Sequence, residues 1–318
     1  MVTYPKVNPS TRTDRLPAQV RQHYPFEGQL LTTRAPTGDP VVMHFVDEGK
    51  GNVLLFVHGN PTWSFYWRQL ISEWSKTHRC IAVDHVGCGL SDKPQEYPYT
   101  LAQHIDNLTQ LIETLDLRDI TLVVHDWGGP IGLGTALRHR ERFRRIVLFN
   151  TGCFEGPIPP EIRMCRWPGW GDAVIRGLNG FVRVGLFRAT ADPTRFANGV
   201  GDGYLAPYGS WHDRVANLRF IQDIPIELSH PTRPLFLSIG EHLRAFAHLP
   251  VAILWGERDF CFTAHYRREF IARLPQAEVT VFDDAGHWVV EDAFERIMPI
   301  LMDFFARHPV SAARGSSP

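Results

Sequence analysis

An aspartate at a sharp turn is the residue of this chain with the clearest chemical meaning. Residues 121–129 read Thr-Leu-Val-Val-His-Asp-Trp-Gly-Gly, so the apolar run Ile120–Val124 leads into Asp126 and two glycines, and a helical pattern follows. This is the setting of a nucleophile elbow, a strained strand-to-helix turn that holds a nucleophile clear of the backbone. Serine is the usual occupant, whereas a carboxylate that attacks carbon forms an ester that has to be broken again. The sequence predicts displacement at carbon by Asp126. The alternative is an aspartate that only caps the next helix.

Two further residues are candidates for holding a leaving group beside Asp126. The run Val53–Val57 ends in His58-Gly59-Asn60-Pro61, where a glycine turn would aim the backbone N–H of Asn60 at a developing anion. The backbone N–H of Trp127 would be a second donor. The side-chain amide of Asn60 and the indole of Trp127 are donors as well, and such neutral donors suit a halide or a carboxylate rather than a phosphate. The alternative is that Asn60 is only a turn residue and Trp127 only a core residue.

An acid and a histidine follow two later strand-like runs. Asp259 comes after Val251–Trp255, at the start of a strand-end loop, where it can orient a histidine. His287 follows a glycine after the run Val279–Phe282, which places it in a loop. The order nucleophile, acid, histidine along the chain is the order that accompanies a nucleophile elbow. The sequence therefore predicts a catalytic set of Asp126, Asp259 and His287.

Alternating strand and helix patterns predict the scaffold that positions these residues. Strand-like runs are Val41–Val46, Val53–Val57, Cys80–Asp84, Ile120–Val124, Ile146–Phe149, Val251–Trp255 and Val279–Phe282, and helix-like runs are Ser64–Ser75, Leu101–Leu115, Ile131–His139, Ala264–Arg273 and Glu291–Ala306. Short apolar strands between helices imply an α/β fold with a mostly parallel sheet covered on both faces. We expect a core at residues 30–155 and 248–308, a proline- and aromatic-rich helical cap at 156–247, and a disordered tail at 309–318.

Composition limits the classes of function. The chain has 318 residues, 44% of them hydrophobic, and a formal net charge of −1. It can bury a large core, and the absence of a basic patch argues against nucleic acid. The five cysteines form no C-x-x-C pair and no zinc-like cluster, so we expect a reduced, cytoplasmic chain without metal or cofactor. No apolar run is long enough for a membrane span, and no secretion signal is visible at the N-terminus.

Taken together, these motifs resemble the haloalkane dehalogenases, a family with the α/β-hydrolase fold. The resemblance spans about residues 30–308, and the motifs that carry it are His58-Gly59-Asn60-Pro61, His125-Asp126-Trp127-Gly128-Gly129, Asp259 and Gly286-His287. It implies that Asp126 is the nucleophile, His287 the base and Asp259 the acid that orients the base. It also implies that Asn60 and Trp127 bind the halide, and that a helical cap covers the sheet.

Three positions place the chain within that family. Some members carry the acid at the position of Asn150, which cannot be anionic, so the resemblance assigns the acid to Asp259. We expect Asn150 to make no more than a loop hydrogen bond. The combination of Asn60 with Asp259 is similar to the third dehalogenase subfamily. Val124 departs from the pattern, because many hydrolases carry glycine there.

The implied activity is displacement of a halide from an apolar haloalkane through an alkyl-enzyme ester, which water activated by His287 then hydrolyses. The third subfamily overlaps with the β-lactone decarboxylases of bacterial long-chain olefin biosynthesis, and residues 204–211 and 218–225 resemble both groups. The alternative function is therefore decarboxylation of long-chain cis-β-lactones to cis-olefins, in which loss of CO2 expels Asp126. A homo-oligomer or an assembly with olefin-biosynthesis enzymes would fit the resemblance.

Three other interpretations stay open. An epoxide hydrolase also uses an aspartate elbow but needs two cap tyrosines, for which Tyr204 and Tyr208 are candidates, while Asn60 argues against it. A haloacetate dehalogenase would need a cation where the chain has Trp127. A non-catalytic scaffold would tolerate loss of one member of the catalytic set, and none is lost here.

Overall fold

A nine-stranded sheet forms the centre of the molecule. The computed structural model describes residues 7–34 and 38–310. The strands are β1 (Val7–Pro9), β2 (Gly28–Arg34), β3 (Pro40–Glu48), β4 (Val53–Val57), β5 (Arg79–Val83), β6 (Ile120–Asp126), β7 (Phe143–Thr151), β8 (Val251–Gly256) and β9 (Glu278–Phe282). Their order in the sheet is β1-β2-β3-β5-β4-β6-β7-β8-β9. The pairs β1–β2, β2–β3 and β3–β5 are antiparallel. The pairs β5–β4, β4–β6, β6–β7, β7–β8 and β8–β9 are parallel. The loops after β4, β6, β8 and β9 therefore meet at one edge.

Helices cover both faces of this sheet. The α-helices are α1 (Ala18–His23), α2 (Arg68–Trp74), α3 (Leu101–Thr114), α4 (Gly128–Arg138), α5 (Pro160–Met164), α6 (Gly180–Arg188), α7 (Val200–Leu205), α8 (Val215–Gln222), α9 (Arg233–Glu241), α10 (Ala264–Arg273) and α11 (Val289–Arg307). In β4, Leu55 and Val57 join the buried cluster formed with α3 and α4, whereas Leu54 and Phe56 join the cluster formed with α2 and α11. Alternate side chains of a strand point to opposite faces. The predicted parallel sheet with two covered faces is confirmed.

The fold begins further upstream than residue 30. Strand β1 and the start of β2 belong to the sheet, and α1 contributes Val20 to a buried cluster. The phenol of Tyr24, just after α1, lies 2.5 Å from the hydroxyl of Ser64. These elements are short, and β1 is exposed along its whole length, so no hydrophobic period indicates them.

The segment between β7 and β8 carries helices α5 to α9. Helix α9 falls inside the range predicted for the cap, yet it packs on the core: Ile239 lies in the same buried cluster as Ile105 of α3, and a Cβ atom on Gly134 of α4 would lie 3.0 Å from Ile239. We propose that the cap ends where α9 begins. Residues 311–318 of the predicted tail lie outside the described residues.

Candidate active site

Asp126 lies in the turn from β6 to α4, with a backbone φ of +52°. An L-residue rarely adopts this left-handed conformation, and here the surroundings hold it in place. A Cβ atom on Gly59 would collide with the Asp126 carboxylate, and one on Gly128 would collide with the carbonyl of Val57. The hydroxyl of Thr151 donates a hydrogen bond of 2.5 Å to the Asp126 carbonyl. The strand, turn and helix predicted around Asp126 are therefore present.

Val124 fits into this turn because the helix supplies the small residue. A Cβ atom on Gly132 of α4 would lie 2.7 Å from Cγ1 of Val124, which is closer than real Cβ atoms approach. Glycine on the helix thus leaves the space that the valine side chain fills. The strand and the helix stay close although the strand lacks the expected glycine.

The Asp126 carboxylate is buried and is supported by backbone donors. The backbone N–H of Asn60 donates to Oδ1 at 2.6 Å. Burial raises the pKa of Asp126, while the nearby His287 and the N–H groups of Trp127 and Asn60 act in the opposite direction. Oδ2 lies 3.8 Å from Nε2 of His287, which is too long for a hydrogen bond, so this oxygen can approach a carbon atom. One prediction is corrected: the backbone N–H groups of Asn60 and Trp127 serve the nucleophile and are not free for a leaving group.

His287 is oriented by Asp259. Its Nδ1 lies 2.8 Å from Oδ2 of Asp259, which turns Nε2 toward Asp126. Burial by itself lowers the pKa of His287, but the carboxylates of Asp259 and Asp126 outweigh it, so that the pKa is raised. The ring lies between aromatic neighbours, 5.7 Å from Phe262 and 4.5 Å from His125 between centroids. The structure brings the three residues of the predicted catalytic set together.

Asp259 is held by more donors than the sequence indicates. The backbone N–H groups of Cys261 and Phe262 donate to its Oδ1 at 2.6 and 3.0 Å. The amide of Asn150 donates to Oδ2 at 2.9 Å and also pairs with the peptide groups of Gly256. The expectation that Asn150 makes only a loop hydrogen bond was wrong, because β7 ends beside β8 and places this amide on the acid itself.

Two residues with side-chain N–H donors line the space in front of Asp126. Asn60 and Trp127 both line the cavity above the carboxylate. The Asn60 amide donates one hydrogen to the carbonyl of Asn217 in α8, at 3.0 Å, and keeps its second hydrogen. Across residues 7–34 and 38–310, no protein group accepts from the Trp127 indole. Each of the two side chains therefore retains an N–H that no described protein group accepts.

The cavity has a volume of about 620 Å³ and lies between the core and the cap. Its wall is mostly apolar, with side chains such as Phe154, Ile162, Phe181, Ile221 and Phe236. Besides Asp126 and His287, its charged residues are partly or fully exposed, and several pair with one another, as Arg188 does with Glu161 at 3.1 Å. The interior thus suits an apolar substrate.

Asp292, which the motifs did not indicate, connects the cap to the loop of His287. Its carboxylate accepts hydrogen bonds from the backbone N–H of Gly286 at 2.7 Å and of Ala191 at 2.9 Å, and from the hydroxyl of Thr190. Trp288 adds a backbone bond of 2.6 Å to Ala189. From the sequence, Glu291 and Asp292 indicate only that negative charge lies near the N-terminus of a helix, where it is favourable.

The residues that the structure describes contain neither a metal-binding cluster nor a membrane-spanning helix. No group of three or more histidine, cysteine, aspartate or glutamate side chains could hold a metal ion there. Nor does any helix among those residues have the length and apolar character needed to cross a membrane.

Residues 52–294 match the family described as the alpha/beta hydrolase fold. The chain belongs to this family. The elbow after β6, the acid after β8 and the histidine after β9 lie where the chain order of an α/β-hydrolase places them. The predicted α/β-hydrolase fold is thereby confirmed.

Relatives of this α/β-hydrolase include enzymes of the two kinds that its motifs resemble. It is 40% identical to the cis-3-alkyl-4-alkyloxetan-2-one decarboxylase of Shewanella oneidensis, over 82% of this chain and 84% of the relative. It is also 40% identical to the enzyme of that name from Xanthomonas campestris pv. campestris, over 85% and 94%. Haloalkane dehalogenase 2 of Mycobacterium bovis is 28% identical, over 89% and 96%. The solved haloalkane dehalogenase DatA from Agrobacterium tumefaciens C58 is similar with a TM-score of 0.77 and 26% identity, over 88% and 97%.

The two cap tyrosines of this α/β-hydrolase are directed away from the cavity. The hydroxyl of Tyr204 donates to Glu291, which also binds Arg68. The hydroxyl of Tyr208 lies 3.3 Å from the backbone N–H of Gly89. Neither ring lines the cavity, so neither supplies the proton that opening of an epoxide would require. The basis for an epoxide hydrolase is therefore removed.

Substitutions at Asp259 and Asn150 should differ in their effect on His287. Asp259→Asn is expected to lower the pKa of His287, because the burial that depresses it remains while its main negative partner is lost. Hydrolysis of an ester on Asp126 should then fall about 10³–10⁴-fold. Asn150→Ala removes one hydrogen bond to a charged oxygen and should cost about ten- to a hundredfold. NMR titration of labelled histidine, with hydrolytic rates, checks both; a His287 pKa that shifts equally in the two variants contradicts this assignment of the acid.

Proposed function

We propose that this α/β-hydrolase decarboxylates cis-3,4-dialkyl oxetan-2-ones, which are β-lactones, to cis-olefins and CO2, with Asp126 as the nucleophile. The observation that carries the proposal is the 40% identity to two oxetanone decarboxylases, against 28% to a haloalkane dehalogenase. Dehalogenation, which the motifs alone favoured, becomes the second candidate. The site chemistry fits the decarboxylation in three respects: the nucleophile, the donors for a carboxylate and the apolar cavity.

The first step opens the lactone ring. Oδ2 of Asp126 attacks C4 of the oxetanone, the bond from C4 to the ring oxygen breaks, and its electron pair becomes a carboxylate attached to C3. The alkyl chain at C4 is then held as an ester of Asp126. The free amide hydrogen of Asn60 and the indole N–H of Trp127 stabilise the new carboxylate, as they would stabilise a halide.

The second step breaks the ester without water. The bond from C3 to the carboxylate breaks and CO2 leaves, the electron pair forms the double bond between C3 and C4, and the ester bond returns its pair to Asp126. The attack inverts C4, and fragmentation with the two leaving groups on opposite sides keeps both alkyl groups on one side. A cis-lactone therefore gives a cis-olefin. No proton is gained or lost over the cycle.

The environment of the intermediate favours loss of CO2. A carboxylate that is buried among apolar side chains without a cationic partner is costly, and its conversion into neutral CO2 removes that cost. The two donors of the site, Asn60 and Trp127, are neutral. Of the arginines that line the cavity, Arg163 is exposed, Arg188 pairs with Glu161 and Arg233 pairs with Glu155. A haloacetate dehalogenase would place a cation at this point, and such a cation would stabilise the carboxylate against decarboxylation.

Dehalogenation of apolar haloalkanes stays a second candidate because the same donors suit a halide. In that reaction His287 activates water, which attacks the carbonyl carbon of the Asp126 ester. The geometry supports this role as well, since Nε2 of His287 faces Asp126 at 3.8 Å. The two reactions thus share the first step and differ in how the ester is broken.

Product analysis in water enriched in ¹⁸O separates the two functions. With a cis-3,4-dioctyl oxetan-2-one, the protein is expected to form the cis-olefin, and peptide mass spectrometry should find Asp126 without label, because only its bond to C4 breaks. Hydrolysis would instead give a β-hydroxy acid and put ¹⁸O into Asp126. Halide release from a 1-haloalkane with labelled Asp126, and no olefin from the lactone, would favour dehalogenation and reject the proposal.

A further inference from the structure

The exposed apolar side chains of this protein are concentrated on the cap. Among the described residues, thirteen large apolar side chains are exposed, and eight of them lie between residues 164 and 228. The exposed phenylalanine, tyrosine and tryptophan residues of the described chain all lie between residues 164 and 228, namely Trp167, Trp170, Phe187 and Trp211. Isolated exposed apolar residues are ordinary, whereas a concentration of them marks a contact surface.

Most of these residues surround the entrance of the cavity. Met164, Trp170, Val184 and Leu228 are exposed and also line the cavity, so they form its rim. Trp167 is 60% exposed and belongs to the same turn as Trp170, which donates a backbone hydrogen bond to it. Phe187 is 70% exposed and lies one helical turn beyond Val184 on α6. We name these six residues the entrance patch: Met164, Trp167, Trp170, Val184, Phe187 and Leu228.

Positive charge accompanies the entrance patch. Residues 160–188 contain five arginines (163, 166, 176, 183 and 188) and two acidic residues, Glu161 and Asp172. Arg166, Arg176 and Arg188 form ion pairs with Glu227, Asp172 and Glu161. Arg163 and Arg183 are exposed, and among the described residues no carboxylate forms an ion pair with either of them. An apolar surface with exposed tryptophans and arginines has the chemistry that binds at the interface of an anionic bilayer.

We propose that the entrance patch docks this protein onto an anionic lipid surface, with the cavity opening into the apolar layer. The continuity of the patch with an apolar cavity selects lipid as the occupant, because docking would connect the cavity to the phase where an apolar substrate dissolves. Arginines at the rim match anionic headgroups by charge. The inference depends on the entrance patch and its arginines, and not on which of the two reactions occurs, since both substrates are apolar. The protein would lie on the surface and not cross it.

Vesicle co-sedimentation tests the proposal on the whole chain. The wild-type protein is expected to sediment with vesicles of phosphatidylcholine and phosphatidylglycerol in equal parts, more weakly with phosphatidylcholine alone, and less at high salt. The double variant Trp167→Ser/Phe187→Ser is expected to lose at least tenfold in apparent affinity. Neither side chain lines the cavity or contacts Asp126, so turnover of a dissolved short-chain substrate should not change. Arg183→Gln should weaken binding to the anionic vesicles only.

Met302→Ser provides a matched control. This side chain is 54% exposed on α11, thirteen residues beyond the start of that helix and so about 20 Å along it, and its loss should leave vesicle binding unchanged. Wild-type protein that stays in the supernatant with anionic vesicles would overturn the proposal. So would a double variant that binds as tightly as wild type. A wild-type dimer that Trp167→Ser/Phe187→Ser dissociates, without vesicle binding, would instead assign the patch to a second copy of the chain and reject lipid.

Discussion

Replacing Asp126 with asparagine is expected to reduce turnover of a β-lactone or a haloalkane by at least about 10⁴-fold, because the bond-forming carboxylate has no substitute in the cavity. The amide has nearly the same volume, and its oxygen can still accept the hydrogen bond from the Asn60 backbone. Asparagine also adopts the left-handed conformation of this position more readily than other residues do. The loss should therefore lie in the chemical step and leave folding unaffected.

Asp126→Ala is the companion variant and should be equally inactive. It removes the acceptor for the Asn60 N–H and places alanine at a φ of +52°, so we expect a lower melting temperature than for the asparagine variant. Steady-state product formation and thermal unfolding measure the two effects separately. If either variant retained activity within tenfold of wild type while being pure and folded, Asp126 would not be the nucleophile.

The elements that position this site were readable from the sequence because each has a strong local pattern. The apolar run Val53–Val57 has the same bounds in the structure, and helix Ala264–Arg273 does as well. Strands that are buried on both faces of a parallel sheet need continuous apolar residues, so their signal is clear. Strand β1 and helix α1 have neither length nor period; β1 pairs with β2, and Tyr24, the residue after α1, contacts the distant Ser64.

Within the site, residue types were easier to predict than partners. The motifs indicate that Asp126, Asp259 and His287 belong together, since each follows a strand of one sheet. They cannot indicate which donor faces which acceptor. The backbone N–H of Asn60 is bonded to the nucleophile, and the amide of Asn150 to the acid, because of loop conformations and the neighbouring order of β7 and β8. These contacts join residues far apart in sequence and have no local pattern.

The position of the cap is the least local property of the chain. Asp292 accepts hydrogen bonds from the Thr190 hydroxyl, from the backbone N–H groups of residues 191 and 192, and from the backbone N–H of Gly286 in the loop that carries His287. The Asp292 carboxylate thus connects the cap segment beside the cavity with the loop that carries His287. The sequence spacing of these residues does not predict the contact. The consequence for function is that the orientation of His287 and the shape of the cavity depend on the same group.

His287→Phe is expected to separate the two ways of breaking the Asp126 ester. Hydrolysis needs a base for water, so turnover of a 1-haloalkane should fall by about 10²–10⁴-fold. Intact-protein mass spectrometry should then show one alkyl group on Asp126. Fragmentation of a β-lactone ester transfers no proton, so olefin formation should retain most of its rate. The variant protein should fold, because phenylalanine keeps the stacking with Phe262 and the backbone donors of Cys261 and Phe262 still satisfy Asp259.

The comparison of the two substrates on one variant is decisive because binding and the first step are shared. An alkyl adduct with the haloalkane together with continued olefin release from the lactone would assign His287 to water activation alone. Equal losses on both substrates would show that His287 also assists departure of Asp126. An unmodified protein, with the halide still on carbon, would contradict attack by Asp126. Asn150→Ala is the comparison variant: it leaves the imidazole in place and weakens only the support of Asp259, so it should slow ester hydrolysis by no more than about ten- to a hundredfold.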